Sequence, residues 1–157
     1  MAKELAEGDF APDFELPTDG GGRTRLADLK GKPAVIYFYP KDDTSGCTAE
    51  AIAFNALRAK FAAAGTMVVG VSPDSAASHE KFKLKHELKL ALAADPERSA
   101  IEAYGVWKEK SMYGRKYFGV ERSTFLIDRN GRLAKVWRKV EVPGHAEEVL
   151  AAAKALA

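Results

Sequence analysis

Apolar positions along this chain fall in short blocks whose spacing switches between that of a strand and that of a helix. Ala34-Val35-Ile36-Tyr37-Phe38-Tyr39 is a nearly continuous apolar run, the pattern of a strand buried on both faces, and Pro40 ends it. Thr66-Met67-Val68-Val69-Gly70-Val71 reads the same way. Between them, from 47 to 64, the spacing is helical: Phe54, Leu57 and Phe61 share one face and Gly65 supplies a stop. Pro73-Asp74-Ser75 opens a second helix running towards His86. A short strand is expected over 90–93 and a short helix over 97–104. Segments 14–16 and 24–26 predict an early hairpin around Asp19-Gly20-Gly21-Gly22, a flexible turn. Segments 123–127 and 133–137 flank Asp128-Arg129-Asn130-Gly131, which predicts a second hairpin with a tight turn of the two-residue class. The last helix starts near His145, with Ala146, Val149, Leu150 and Ala153 facing inward.

Strand–helix–strand followed by hairpin and helix predicts an α/β chain: a central mixed sheet covered by helices on both faces, with an N-terminal hairpin extension. This is the thioredoxin-like arrangement. The 157 residues fit one domain, 1–157. Net charge is +2, too small an excess to imply a nucleic-acid or membrane-surface partner. The basic stretch Trp107-Lys108-Glu109-Lys110 with Arg115-Lys116 reads as a solvated loop. Alternating charges at 1–7 argue against a signal peptide, and no apolar run approaches the ~20 residues a membrane helix needs. A single cysteine excludes an internal disulfide and predicts a reducing compartment, the cytoplasm.

That cysteine lies in the most informative segment, Tyr39-Pro40-Lys41-Asp42-Asp43-Thr44-Ser45-Gly46-Cys47-Thr48-Ala49-Glu50. A lone free cysteine is most often a small buried hydrophobe. Here the preceding residues form a polar loop between a buried strand and a helix, which points to chemistry instead. Cys47 falls in the first helical turn, where unpaired backbone N–H groups and roughly half a positive charge favour a thiolate. Thr44 is a candidate N-cap, as are Asp43 and Ser45. Strand ends in open α/β sheets are also where ligand crevices form.

Pro40, Thr44 and Cys47 match the Pro-x-x-x-Thr-x-x-Cys signature of the peroxiredoxins, and Glu50 continues it. The run 37–50 resembles the bacterioferritin comigratory protein (PrxQ) subgroup. So do Tyr104-Gly105-Val106-Trp107 and Arg122-Ser123-Thr124-Phe125-Leu126-Ile127-Asp128, and the likeness begins at Gly8-Asp9-Phe10-Ala11-Pro12-Asp13-Phe14. The resemblance implies a thiol-dependent peroxidase acting on hydrogen peroxide and organic hydroperoxides. Cys47 is then the peroxidatic nucleophile, flanked by Thr44 and Arg122, with Pro40 shielding the pocket and Gly46 among the substrate-binding positions. It also implies a monomer, with no cofactor and no metal.

Such a set of residues has a physical reason. A thiol of pKa ~8.5 is a few per cent ionised at neutral pH, so full ionisation gains at most ~30-fold. Lowering the pKa also weakens the nucleophile. The remaining acceleration has to come from donors aimed at the peroxide oxygens as the O–O bond lengthens. Arg122 offers a fixed cation and several N–H donors; the Gly46 and Cys47 amides and the Thr44 hydroxyl are further candidates.

The chain departs from the common pattern in lacking a second sulfur. Many relatives carry a resolving cysteine where this chain has Ile52; others place it within 82–86, where there is none. The sulfenic acid left on Cys47 must then be reduced by an external thiol: a small molecule, glutaredoxin, thioredoxin or another subunit's Cys47. Ser45 stands where proline is frequent in the subgroup. The alternative reading is a redox-sensing or chaperone-like protein switched by Cys47 oxidation, and a weaker one is an inert scaffold. His79, His86 and His145 do not share a metal-binding spacing and are expected at the surface; the first two stand ~10 Å apart along a helix. Glu50 is expected to be structural, Trp107 and Trp137 to be packing residues, and Gly20-Gly21-Gly22 a turn rather than a phosphate cradle.

Overall fold

The computed structural model describes residues 4–156; residues 1–3, part of the segment read above for a signal peptide, lie outside them. Five strands form the central sheet: β3 (Ala34–Phe38), β4 (Met67–Ser72), β5 (Ala91–Ala94), β8 (Ser123–Ile127) and β9 (Leu133–Trp137), in the order β5-β4-β3-β8-β9. β3, β4 and β5 run parallel, whereas β8 and β9 join antiparallel, so the sheet is mixed as the element order predicts. Strand alternation splits the core into two layers. Val35, Tyr37 and Leu126 face one side, packed under α1 (Ser45–Ala56), α2 (Arg58–Ala63), α3 (Ala76–His86) and α5 (His145–Leu156). Ile36, Phe38, Phe125 and Ile127 face the other, under α4 (Ser99–Ala103) and the N-terminal hairpin of β1 (Glu15–Pro17) and β2 (Arg23–Arg25).

Several boundaries have local causes. Gly65 at φ +69° closes the helical stretch: Thr66 N–H reaches Phe61 C=O at 2.9 Å and Gly65 N–H reaches Ala62 C=O at 2.9 Å, a Schellman cap. The Ser75 hydroxyl caps α3 by accepting from Ser78 N–H at 3.1 Å. The inward face expected for α5 is buried at Ala146, Val149, Leu150 and Ala153.

Other expectations need correction. The helix expected over 47–64 is broken at Leu57, which leaves the helical region (φ −98°, ψ 1°), and only Phe54 and Phe61 of its apolar face are fully buried. The early turn is a short 3₁₀ segment, Asp19–Gly21. The β8–β9 connection is longer than a two-residue turn. Asp128 N–H bonds Arg132 C=O, and the Asp128 carboxylate accepts from the Asn130 and Arg132 amides. The stretch expected as a solvated loop is an antiparallel hairpin, β6 (Trp107–Met112) and β7 (Arg115–Val120), turning at Tyr113 (φ 51°) and Gly114 (φ 78°). Two positive φ values in sequence are the type I′ geometry. His79 and His145 are buried, contrary to the surface placement expected of them.

Candidate active site

Antiparallel pairing of β3 with β8 sets Phe38 opposite Ser123. The loop leaving β3 and the residue entering β8 are thereby neighbours, and Arg122 meets the start of α1. Its Nη2 donates to Cys47 Sγ at 3.4 Å, and its Nη1 donates to Glu50 Oε1 at 2.7 Å. The Arg122 backbone is fixed too, its carbonyl accepting from Val140 N–H at 3.0 Å. Cys47 and Glu50, 75 and 72 residues from Arg122 in sequence, thus converge on its guanidinium fork. Gly46 permits the approach, since a Cβ there would stand 3.1 Å from Arg122 Nη2.

Thr44 takes the N-cap backbone conformation (φ −88°, ψ 158°) and its carbonyl receives the first helical bond, from Thr48 N–H at 2.8 Å. Its hydroxyl makes no cap and donates instead to Lys41 C=O at 3.0 Å. The first amides of α1 consequently keep their unpaired character beside Cys47. Pro40 is half-buried where β3 gives way to the loop. Cys47 itself is 1% exposed and joins the apolar cluster of Tyr37, Tyr39, Ala51 and Phe54, so the sulfur is more enclosed than the polar loop suggests. It combines an apolar wall with a cationic one.

Burial governs the electrostatics. Desolvation lifts the Glu50 carboxyl to about 7 against the pull of Arg122, and its Oε2 has no hydrogen-bond partner among the described residues. Burial also opposes the Arg122 charge, but Glu50 and Cys47 together hold the guanidinium above its ordinary pKa. The cost of the buried pair therefore falls on the carboxylate. Behind the site, Asp42 is buried and accepts from Tyr39 Oη at 2.6 Å and Ser78 Oγ at 2.8 Å, and lies 2.7 Å from His79 Nδ1. Burial would raise the Asp42 carboxyl; the His79, Tyr39 and Ser78 contacts outweigh it and hold it below the usual range. Asp43, at φ +62°, reaches Lys85 at 2.6 Å and His86 at 2.8 Å. Adjacent carboxylates thus pin the loop along α3. Sequence reasoning missed this network; the only signal was Asp42-Asp43 beside a histidine-bearing helix.

The structure brings together Cys47, Arg122, Gly46 and Glu50, whereas the Thr44 hydroxyl is turned to Lys41. Residues 8–136 match the AhpC/TSA family, and the chain belongs to it. Among its relatives within that family are Bcp and PrxQ peroxiredoxins. Peroxiredoxin Bcp of Bacillus subtilis is 52% identical over 143 residues, 91% of each chain. Putative peroxiredoxin bcp of Coxiella burnetii is 48% identical, over 91% of this chain and 95% of that one. Among solved structures, the bacterioferritin comigratory protein of Xanthomonas campestris, described for its alkyl peroxide reduction activity, superposes with a TM-score of 0.86 at 46% identity, over 90% of each chain. A cysteine mutant of PrxQ from Xylella fastidiosa gives 0.92 at 39% identity, over 98% of each. The fold is the thioredoxin-like one of these peroxiredoxins, and the chain is a one-cysteine variant.

Proposed function

We propose that this chain reduces hydrogen peroxide and organic hydroperoxides with Cys47 as nucleophile and Arg122, Thr44, Gly46 and Pro40 around it. The Arg122 fork between Cys47 and Glu50 carries the reading, because it sets a permanent cation against the only sulfur nucleophile in the chain. The Cys47 thiolate attacks one peroxide oxygen; an S–O bond forms, the O–O bond breaks, and the leaving oxygen takes a proton and departs as water or alcohol. Arg122 and the α1 amides stabilise the charge growing on that oxygen. Sulfur has been oxidised by two electrons to a sulfenic acid. An external thiol then attacks Cys47, forming a mixed disulfide and releasing water, and a second thiol frees Cys47 as its disulfide forms. Thr44 serves this chemistry once its hydroxyl turns from Lys41 to the bound peroxide.

The single-cysteine count supports a cytoplasmic setting and an external reductant, and the PrxQ likeness supports a one-domain monomer. Steady-state peroxide consumption with dithiothreitol tests the reading: many turnovers per chain are expected, abolished in Cys47→Ser. Consumption of one peroxide per chain and no more would replace the enzyme with a redox sensor.

A further inference from the structure

The β6–β7 hairpin stands beside the site and sorts its side chains by face. Register pairs Lys108 with Gly119, Lys110 with Tyr117 and Met112 with Arg115, so these six share one face. The other face carries Trp107, Glu109, Ser111, Lys116, Phe118 and Val120. There Val120 is buried in the core, Arg98 lies over the Trp107 ring at 4.4 Å, and Glu109 pairs with Lys116 at 3.6 Å. The hairpin's only acid is thus spent on the far face. On the near face three cations, Lys108, Lys110 and Arg115, are interleaved with Met112 and Tyr117, which are 57% and 42% exposed. Among the described residues none of the three is held in an ion pair.

The near face also adjoins the sulfur. The Lys110 stem crosses Gly119, whose Cβ would meet Lys110 Cδ at 3.6 Å. Burial and the Arg122 charge together push the Lys110 ammonium below its ordinary pKa, while Cys47 and Glu121 pull it up. Its end is therefore within electrostatic reach of both catalytic groups.

We infer that this face, Lys108, Lys110, Met112, Arg115 and Tyr117, is the docking surface for an acidic thiol protein that reduces oxidised Cys47. The inference rests on the peroxidase reading above. Three arguments favour that occupant: a surface whose cations are in no ion pair among the described residues complements an acidic one, exposed Met and Tyr suit a desolvated interface, and a chain with one sulfur must receive its electrons from outside. A flexible thioether beside these charges also tolerates a partner that must leave after each turnover.

The test compares two reductants, dithiothreitol and a thioredoxin of net negative charge recycled by its reductase, on wild type and on Lys108→Glu/Arg115→Glu. Among the described residues neither substituted side chain forms a hydrogen bond or ion pair with Cys47 or Arg122. Expected are a KM for thioredoxin raised about tenfold or more and a loss of its salt dependence, with dithiothreitol turnover held within about twofold. An unchanged thioredoxin KM would overturn the surface, as would a parallel fall with both reductants. Absence of turnover by wild type with dithiothreitol would overturn the peroxidase reading and the surface with it. Sedimentation with phosphatidylglycerol vesicles, if it captured wild type and released the variant, would assign the face to a membrane and overturn the protein partner.

Discussion

The guanidinium of Arg122 does two jobs at one centre, and substitutions separate them. On the proposed mechanism Arg122→Ala removes a donor to the peroxide oxygens, and the second-order rate with peroxide should fall on the order of 100-fold, beyond the ~30-fold that ionisation alone explains. Stopped-flow peroxide kinetics read this directly, and a loss of only a few-fold would dismiss Arg122 from the chemistry. Gly46→Ala keeps every functional group but brings a methyl to 3.1 Å from Nη2, so the fork must move or the helix start must yield. About a tenfold loss of rate, with unchanged far-ultraviolet circular dichroism, is the expected outcome. Glu50 adds a pH signature. Its carboxyl is lifted from 4.5 to about 7 in the folded chain. The folded state therefore holds this proton longer than the unfolded one, and stability is lost as pH rises from about 4.5 to about 7. At about 1.4 kcal/mol per pH unit, the loss is on the order of 3 kcal/mol. Urea unfolding at pH 5 and pH 8 should show this slope in wild type and a flatter one in Glu50→Gln; equal slopes would return Glu50 to an ordinary carboxylate.

Elements differ in how openly the sequence displays them, and the reason is burial. The strands at 34–38 and 67–72 are readable because both faces are covered, which demands an apolar run. The candidate site is readable because Cys47, Thr44 and Arg122 occupy motif positions, and Glu50 continues the same motif. The β6–β7 hairpin is not: its residues from Ser111 to Phe118 are exposed, so alternation of apolar and polar positions never develops, and the Tyr113-Gly114 turn was its one local mark. Polar burial hides as well. His79 is fully buried because α3 packs against β5 and the loop after β3, where Asp42 lies 2.7 Å from Nδ1 and Ala93 C=O 3.0 Å from Nε2, contacts created by tertiary packing alone. Removing the imidazole leaves Asp42 buried beside a hole. His79→Ala should thus cost about 3–5 kcal/mol in urea unfolding, far more than an exposed histidine would. A change below about 1 kcal/mol would mean that water enters and the network does not pin α3 to the loop.

At the scale of the whole molecule, the sulfur is enclosed by the core it helps to build. Cys47 is 1% exposed, with Tyr37, Tyr39, Ala51 and Phe54 in its cluster and Arg122 Nη2 3.4 Å from its sulfur. On the proposed reading a small hydroperoxide reaches this enclosed sulfur in the folded state, whereas a bulky reagent has to wait for the site to open. Two thiol-directed reactions should consequently divide. Oxidation by peroxide should be fast and insensitive to low urea, because it needs only the folded geometry. Alkylation by a large maleimide should be slow and should accelerate with urea well below the global midpoint, because it waits for the start of α1 and the loop pinned by Asp42 and Asp43 to open. If, as proposed, a protein thiol reduces oxidised Cys47 through the same opening, the maleimide rate and the rate of reduction by a protein should respond together to His79→Ala, both rising as the pin is lost. Mass spectrometry of quenched time points resolves the two reactions. A maleimide rate equal to that of a free thiol in native buffer, unchanged by urea, would show the sulfur standing open to solvent, and a peroxide rate that climbed with urea would place the reactive geometry outside the folded site.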